Sequence, residues 1–528
     1  AFKAIKRSIR DNEFKAFLLH GITGSGKTEV YLQTIAEIID KGSQALVLVP
    51  EISLTPLLVK RFKSRFGDKV GVIHSQLSEG DRFDAWRRAH RGDLKVIIGA
   101  RSAIFAPLKK LGIIVVDEEH DSSYKQDEAP SYNARDMALV LGNMYSCPVV
   151  LGSATPSVES YLNASKDKYV YLSLPTRVGK SFLPEIHLVD MKNVKEKIFS
   201  PDLQSRLIKN FEDKNQSILF LNRRGFSNLL VCEGCGELYN CPNCSVTLTY
   251  HKSGNAIKCH YCGIDEEFVN SCLKCGSKFT GLGIGTQKLE QEVKALLPDA
   301  RVEIMDRDTI KGKVRLLNLY KLLENKEVDV LIGTQMLAKG HDLPDVTLVG
   351  VISADLSLGI PDFRSGEKTF QLITQVAGRA GRGEKPGNVI VQTYNPEHPS
   401  IKFAVDHDSI SFLKYEAAIR KSLFYPPYSK MVNFRFGGTD EKLTKQFAGR
   451  SKAIGKKLRS KLGIEDIEII GPSESPVYRM QNRFRFQMIV KSDNFSSLHS
   501  FCSRLYILLL KQKGNIRLRV DVDPYNFM

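Results

Sequence analysis

Two sets of residues carry chemistry that can be read from type and spacing alone. The first is Gly21-Ile22-Thr23-Gly24-Ser25-Gly26-Lys27-Thr28, which fits G-x-x-x-x-G-K-[ST]. Its glycines let the backbone curl so that N–H groups face inward as an anion nest. A following helix would add the partial positive charge of its N-terminus. Lys27 is placed to reach the β- and γ-phosphates of a nucleotide such as ATP, and the Thr28 hydroxyl to ligate Mg²⁺. The second set is Cys232-x-x-Cys235, Cys241-x-x-Cys244, Cys259-x-x-Cys262 and Cys272-x-x-Cys275, eight of the chain's 10 cysteines. Four such pairs suffice for two tetrahedral Cys₄ zinc sites, with every ligand position filled by sulfur and none left open for catalysis. Spacing alone leaves the pairing open. Cys147 and Cys502 read as core residues.

A third chemical signal is acidic. The apolar run Ile113 to Val116 ends in Asp117-Glu118-Glu119-His120. Beside a phosphate-binding loop, Asp117 would hold Mg²⁺ through water and Glu118 would polarise an attacking water. His120 would couple the nucleotide to a second site.

These groups need elements to hold them. Phe17-Leu18-Leu19 before the glycine-rich loop reads as a buried strand, and Glu29 to Ile39 after it has helical apolar spacing. Further strands read at Leu46 to Pro50, Ile97 to Gly99, Ile113 to Val116 and Pro148 to Gly152, with helices around Leu57 to Phe66 and Ala134 to Leu141. Alternating strands and helices imply a parallel sheet covered on both faces, with chemistry at the carboxyl ends of the strands. A second such unit runs through Ile218 to Leu221, Val328 to Ile332 and Leu348 to Ile352. The order from Met431 to Val522 is strand, helix, strand, strand, helix, strand, a ferredoxin-like pattern. There Arg479, Arg483 and Arg485 interleave with Tyr478 and Phe484, a combination suited to nucleic acid.

The totals agree with a large multidomain enzyme. A length of 528 residues suggests roughly three to four domains. A net charge of +17 favours a polyanionic partner, most simply nucleic acid. No apolar run reaches the length of a membrane span. The cysteine spacing favours metal over disulfide and hence a reducing, cytoplasmic setting. The chain opens on Ala1 without an initiator Met or a signal peptide and reads as starting mid-helix, as though cut from a longer parent.

The strings Asp117-Glu118-Glu119-His120 and Gly152-Ser153-Ala154-Thr155-Pro156 resemble those of superfamily 2 helicases. In that family Ser153-Ala154-Thr155 would link nucleotide state to strand movement. Val49-Pro50-Glu51-Ile52-Ser53-Leu54-Thr55 and Gly99 to Phe105, including Arg101, resemble its backbone-contacting motifs. Gln375-Val376-Ala377-Gly378-Arg379-Ala380-Gly381-Arg382-Gly383 matches QxxGRxGR. Arg379 and Arg382, three apart, are expected on one helix face, and the resemblance makes them arginine fingers that reach from the second lobe to the γ-phosphate held by the first. Gly333 to Asp342 resembles the motif that touches both DNA and nucleotide.

Tyr124, Lys125, Tyr132 and Arg135 lie in a segment similar to the aromatic-rich loop of RecQ-like and primosomal helicases, whose rings would stack on unpaired bases. Trp86, with Phe83 three residues earlier, reads as helix packing.

The eight-Cys insertion between Arg223-Arg224-Gly225 and Gly333-Thr334-Gln335 narrows the resemblance to the replication-restart, or primosomal, helicases. Leu19 to Tyr31 is also close to that family's phosphate loop. The resemblance implies two RecA-like P-loop lobes (residues 1–175, then 176–230 continuing at 280–400), a Cys-rich double-zinc insertion (231–279) in the second lobe, and an α+β ferredoxin-like C-terminal domain (401–528). It favours nested zinc pairing: Cys232, Cys235, Cys272 and Cys275 on one ion, Cys241, Cys244, Cys259 and Cys262 on the other. It implies an ATP-dependent 3′→5′ DNA helicase that recognises and remodels stalled replication forks and promotes primosome assembly, with single-stranded and forked DNA as its nucleic-acid partners. The implied partners are single-strand-binding protein and the primosome and replicative-helicase loading proteins, in the cytoplasm with the nucleoid. The family's DNA-binding region ahead of the lobes is not in this chain. Two other functions fit the residues: a duplex translocase that does not unwind, and a zinc-dependent primosome scaffold with incidental ATPase.

Overall fold

A computed structural model describes residues 1–50, 56–75, 77–179, 183–194, 198–221, 229–243, 246–251, 256–259, 262–272, 274–282, 285–306, 313–334, 337, 345–383, 385–525 and 527. Glu51 to Thr55, Arg223, Arg224, Gly225, Cys244, Gln335, Met336 and Ala338 to Asp342, all singled out above, lie outside the described residues.

The first lobe is built on seven strands: β1 (Ala16–Gly21), β2 (Gln44–Leu48), β3 (Val70–Ile73), β4 (Val96–Gly99), β5 (Leu111–Asp117), β6 (Val149–Ser153) and β7 (Val170–Leu174). They pair in parallel in the order β3-β4-β2-β5-β6-β1-β7. β1 and β2 are buried along their whole length, as their unbroken apolar runs require in a sheet covered on both faces. One face packs Leu18, Leu46, Ile114 and Leu151; the other packs Phe17, Val47, Val115 and Ile35 of the helix Lys27–Asp40. This places the carboxyl ends of β1, β5 and β6, which carry Gly21, Asp117 and Ser153, side by side.

The second lobe repeats the plan with β8 (Glu185–Asp190), β9 (Gln216–Phe220), β10 (Val302–Met305), β11 (Val330–Gly333), β12 (Val346–Val351) and β13 (Asn388–Thr393). Their order is β8-β13-β12-β9-β11-β10, again all parallel. The C-terminal domain has β14 (Lys430–Gly438), β15 (Glu468–Met480), β16 (Arg483–Ser492) and β17 (Arg517–Val522) with helices Glu441–Leu462 and Phe495–Leu510 between them. The antiparallel order β15-β16-β14-β17 is ferredoxin-like.

The strands without a strong sequence signal are mostly at edges. β7 is partly exposed along its length and β8 has only half-buried positions after its first residue. An edge strand faces less core, so its sequence shows no long apolar run.

Candidate nucleotide cleft and metal centres

The phosphate loop runs from the end of β1 into the helix Lys27–Asp40. Gly24 and Gly26 have φ of 83° and 87°, a left-handed backbone that favours glycine. Gly26 is the helix N-cap and brings no capping side chain, so first-turn N–H groups face the loop as an anion site. Lys27 Nζ donates to the Gly21 carbonyl at 2.6 Å. Burial pulls the Lys27 ammonium below its ordinary value; Glu118 and Asp117 oppose this, and Arg382 and Arg379 add to it.

Asp117 ends β5. Its Oδ1 accepts from the Tyr31 hydroxyl at 3.0 Å and its carbonyl from Tyr124 Oη at 2.5 Å. Burial, then the adjacent Glu118, push the Asp117 carboxyl up to about 6, against the pull of Lys27. A buried carboxylate beside a second acidic side chain fits a cation, and Thr28 is half-buried at the start of the facing helix. Glu118 has φ 48°, a left-handed turn that carries its side chain out of the strand line.

The second lobe closes the cleft. Gln375, on the helix Ser365–Ala377, lies 3.5 Å from Glu118 Oε2 and 2.7 Å from His120 Nε2. With the Gln375 amide nitrogen as donor, His120 carries its proton on Nδ1, which donates to Ser153 Oγ at 2.8 Å. Ser153 Oγ also accepts from the Thr155 N–H at 2.9 Å. The acidic strand end, the Ser153-Ala154-Thr155 string and the second-lobe glutamine thus form one hydrogen-bonded line.

The helix ends at Ala377, with Gly378 as its C-cap. Arg379 and Arg382 therefore do not share a helix face. They lie in the turn beyond it, where Gly381 has φ 67°; glycines at Gly378, Gly381 and Gly383 break the helical run that spacing alone suggested. Arg379 is buried, and burial holds its guanidinium below the ordinary value while Glu118 opposes. Arg382 falls to about 10, through burial first and then the like charges of Arg177 and Arg61. A Cβ added to Gly378 would stand 2.7 Å from Thr23 Oγ1, so the arginine turn packs directly on the phosphate loop.

Several residues in and behind the cleft make contacts that spacing in the sequence does not show. Tyr31 sits one helical turn after Lys27, on the face turned to β5. Glu119 is buried and accepts from the Ser157 N–H at 2.7 Å, Ser160 Oγ at 2.8 Å and Arg135 at 3.2 Å. It braces the start of the helix Val158–Ser165 rather than facing the cleft. Behind the cleft, buried Arg420 is ion-paired to Glu367 at 2.5 Å, Glu416 at 3.0 Å and Glu159 at 3.4 Å, joining both lobes. Tyr525 donates to the His120 carbonyl at 2.9 Å, which ties the end of the C-terminal domain to the acidic motif.

The aromatic segment is held differently from the expectation. Tyr124 and Lys125 are buried; Lys125 pairs with Asp521 of β17 at 2.9 Å. Arg101 donates to the Lys125 carbonyl at 2.7 Å. Tyr124, Lys125 and Arg135 therefore brace the segment from within instead of offering rings and cations to bases, and Tyr132 packs against Phe105. Conversely, Trp86 and Phe83 are 40% and 65% exposed on the helix Glu79–Arg91, more open than helix packing would leave them. Cys147 and Cys502 are buried in cores.

In the Cys-rich module, Cys232, Cys235, Cys272 and Cys275 converge, their sulfurs within 4.8 Å of one another; Cys241, Cys259 and Cys262 form a second group. Measured Sγ–Sγ separations are 3.4 Å for Cys232–Cys275 and 3.6 Å for both Cys235–Cys272 and Cys241–Cys262. A tetrahedral ion with Zn–S near 2.3 Å needs edges of about 3.8 Å, whereas a disulfide needs about 2.05 Å. The thiols fit zinc. Three of the four pairs end in a tight knuckle: Gly236, Gly263 and Gly276 have φ of 75°, 87° and 74°, and their N–H groups donate to the carbonyls of Cys232, Cys259 and Cys272. At Gly236 a Cβ would meet the Tyr394 carbonyl at 1.9 Å. Lys258 of the module pairs with Glu474 at 3.2 Å, fastening it to the C-terminal domain.

Comparison with known proteins agrees with this arrangement. Family models match as DEAD/DEAH box helicase over residues 3–164 and helicase conserved C-terminal domain over 281–384. The PriA DNA helicase Cys-rich region matches 241–266 and the primosomal protein N C-terminal domain 421–525. The chain is 46% identical over 536 residues to replication restart protein PriA of Bacillus subtilis, covering 100% of this chain and 66% of that protein. It is 43% identical to the Synechocystis protein of that name, covering 96% of this chain and 62% of the other. With the Haemophilus influenzae protein the identity is 39%, over 97% of this chain and 70% of the other. The chain thus spans slightly less than two thirds of the first two relatives. Two helicase lobes closed on one cleft, a thiol module fit for zinc in the second lobe and a ferredoxin-like terminal domain come together with these identities: the chain belongs to the PriA family of replication restart proteins.

Proposed function

We propose that this chain is the motor of an ATP-dependent 3′→5′ DNA helicase that remodels stalled replication forks and promotes primosome assembly. One observation carries the reading. Lys27, Asp117 and Glu118 of the first lobe and Gln375, Arg379 and Arg382 of the second act on one another across a single buried cleft.

In this reading the amides of Gly21 to Thr28 cradle the phosphates and Lys27 leaves the Gly21 carbonyl for the β/γ oxygens. Thr28 and Asp117 would hold Mg²⁺, which would neutralise charge on those oxygens. Glu118 orients and polarises the attacking water. Gln375 reports the state of Glu118 to His120 and Ser153, and Arg379 and Arg382 meet the charge that spreads over the transferred phosphoryl group. Since the guanidinium groups come from the other lobe, hydrolysis changes how strongly the lobes attract, and the two move relative to each other. Two structural Zn²⁺ ions would be held by the nested sets, with Cys244 completing the second.

DNA is the partner that best suits +17 net charge. On the C-terminal domain, Arg479 and Arg483 are exposed at the hairpin tip, and Arg479 lies over the Phe484 ring at 5.2 Å. Arg435 and Arg519 are paired across β14 and β17. These basic groups, on the hairpin tip and across the sheet, suit a phosphate backbone. Single-strand-binding protein and the loaders of the replicative helicase are the further partners we propose, in the cytoplasm and on the nucleoid. Among the described residues no helix is long and apolar enough to cross a membrane.

Strand displacement on forked DNA tests the reading. We expect ATP-dependent release of the displaced strand, lost in Lys27→Ala. ATP turnover without strand release would make the chain a translocase. Fork loading that survives Lys27→Ala would make the ATPase incidental to a scaffold.

A further inference from the structure

The segment joining the lobes, between Leu174 of β7 and Glu185 of β8, contributes Arg177 to the cleft. We propose that Arg177 is a phosphate-binding residue of the nucleotide site, exchanging backbone carbonyls of the second lobe for oxygens of the terminal phosphates of a nucleoside triphosphate. The proposal rests on the nucleotide reading above and adds a ligand to it.

The geometry is specific. Arg177 NH1 donates to the Gly381 carbonyl at 3.1 Å and NH2 to the Gly378 carbonyl at 3.5 Å. Both acceptors belong to the turn that carries Arg379 and Arg382. The aliphatic stem crosses the phosphate loop: a Cβ on Gly24 would lie 3.7 Å from Arg177 Cγ and 3.8 Å from Cδ. The next residue fastens the segment there, since the Val178 N–H donates to the Gly24 carbonyl at 3.0 Å. Arg177 is thus anchored to the first lobe by its backbone neighbour and bonded to the second by its guanidinium.

The carbonyls are modest partners for a cation. The Gly378 carbonyl also accepts from Arg382 Nε at 2.8 Å, so the longer Arg177 bond shares its acceptor. A phosphate oxygen accepts a guanidinium hydrogen bond about twice as strongly as a neutral acceptor does. Charge favours the exchange as well. Arg382 feels the like charges of Arg177 and Arg61, burial depresses both Arg177 and Arg382, and Glu118 is the carboxylate that opposes this at Arg382. A multiply charged anion on the loop relieves that excess. The side chain has little distance to move, because it already spans from Gly24 to the arginine turn. Its place beside that turn puts it toward the terminal phosphates.

The test compares wild type, Arg177→Met, which keeps an apolar stem, and Arg177→Lys. A fluorescent non-hydrolysable ATP analogue and the matching ADP analogue are titrated, with kcat, KM and the nucleotide-free unfolding midpoint measured in parallel. We expect about tenfold weaker binding of the ATP analogue and a higher KM in Arg177→Met, less than about threefold change for ADP, partial rescue in Arg177→Lys and an unchanged nucleotide-free midpoint. Unchanged affinity with a lower midpoint would reduce Arg177 to a strut between lobes and overturn the proposal; equal losses for both nucleotides would overturn its assignment to the terminal phosphates. Failure of wild type to bind either analogue would instead refute the nucleotide reading itself.

Discussion

Gly378→Ala isolates lobe closure from everything else the cleft does. Gly378 has φ −60° and ψ −4°, a conformation alanine adopts readily, and alanine restricts the unfolded chain more than glycine. Folding alone therefore predicts a stability unchanged or raised by about 0.4–1 kcal/mol. The new methyl group, however, meets Thr23 of the opposite lobe, at 2.7 Å from Oγ1, 3.0 Å from Cβ and 3.3 Å from Cγ2, where ordinary contact begins at 3.4 Å. The lobes must part by several tenths of an ångström or the phosphate loop must deform. Misplacement of about 1 Å can cost a factor of about 10² in rate, so kcat should fall about 10- to 100-fold. Affinity for ADP, held mainly by the first lobe, should change little. Thr23→Ala in the same chain removes the two outer atoms and leaves the 3.0 Å contact, so the double variant should regain part of the lost rate. The assay is steady-state ATP hydrolysis with DNA present, beside ADP titration and thermal unfolding. Wild-type kcat in Gly378→Ala would refute the reasoning, because turnover would then not need the contact between the arginine turn and the phosphate loop. Equal loss of kcat and of unfolding midpoint would refute it too, by making the effect one of folding.

The same geometry sets other outcomes. Arg420→Ala leaves Glu367, Glu416 and Glu159 together in a buried site, which should destabilise the protein by about 3–5 kcal/mol; denaturant unfolding checks this, and a loss below about 1 kcal/mol would contradict it. His20 is pulled down to about 4 by burial and then by Lys27. Its folded value lies below its unfolded one, so its share of stability is complete above about pH 6.5 and is lost as pH falls toward 4, about 2 kcal/mol of it by pH 5. His20→Asn should remove that share, and an equally acid-sensitive variant would disprove it. Metal analysis should find about two zinc ions per chain; Cys272→Ser and Cys241→Ser should each remove about one, leaving the other. Loss of both ions in either variant would show that the two centres fold as one.

The central strands and the chemical groups at their ends were legible in the sequence because both are local. Phe17 to Leu19 and Ile113 to Val116 are apolar runs that only a doubly covered sheet accommodates, and the residues that follow them stand at strand ends. Edge strands such as β7 were hidden by their exposure. Arg379 and Arg382 stand in the turn beyond the helix: a spacing of three suggests a shared helix face, but the glycines around them end the helix first. Tyr31, Arg177, Arg420 and Tyr525 were illegible for a different reason. Each matters through a partner far along the chain — Asp117, Gly381, Glu367 and His120 — and no window of sequence contains both. Exposure differs from expectation in both directions: Tyr124 and Lys125, in a polar segment suited to bases, are buried, whereas Trp86, at a helix-packing spacing, keeps 40% of its surface exposed.

The account depends on a nucleotide gripped between amides of the first lobe and guanidinium groups of the second. Arg382→Ala tests that most directly, by nucleotide titration and single-turnover hydrolysis on the same preparation. The account predicts ADP affinity within about threefold of wild type and a hydrolysis rate lower by about 10³ or more. Hydrolysis at the wild-type rate, or loss of nucleotide binding together with hydrolysis, would contradict it.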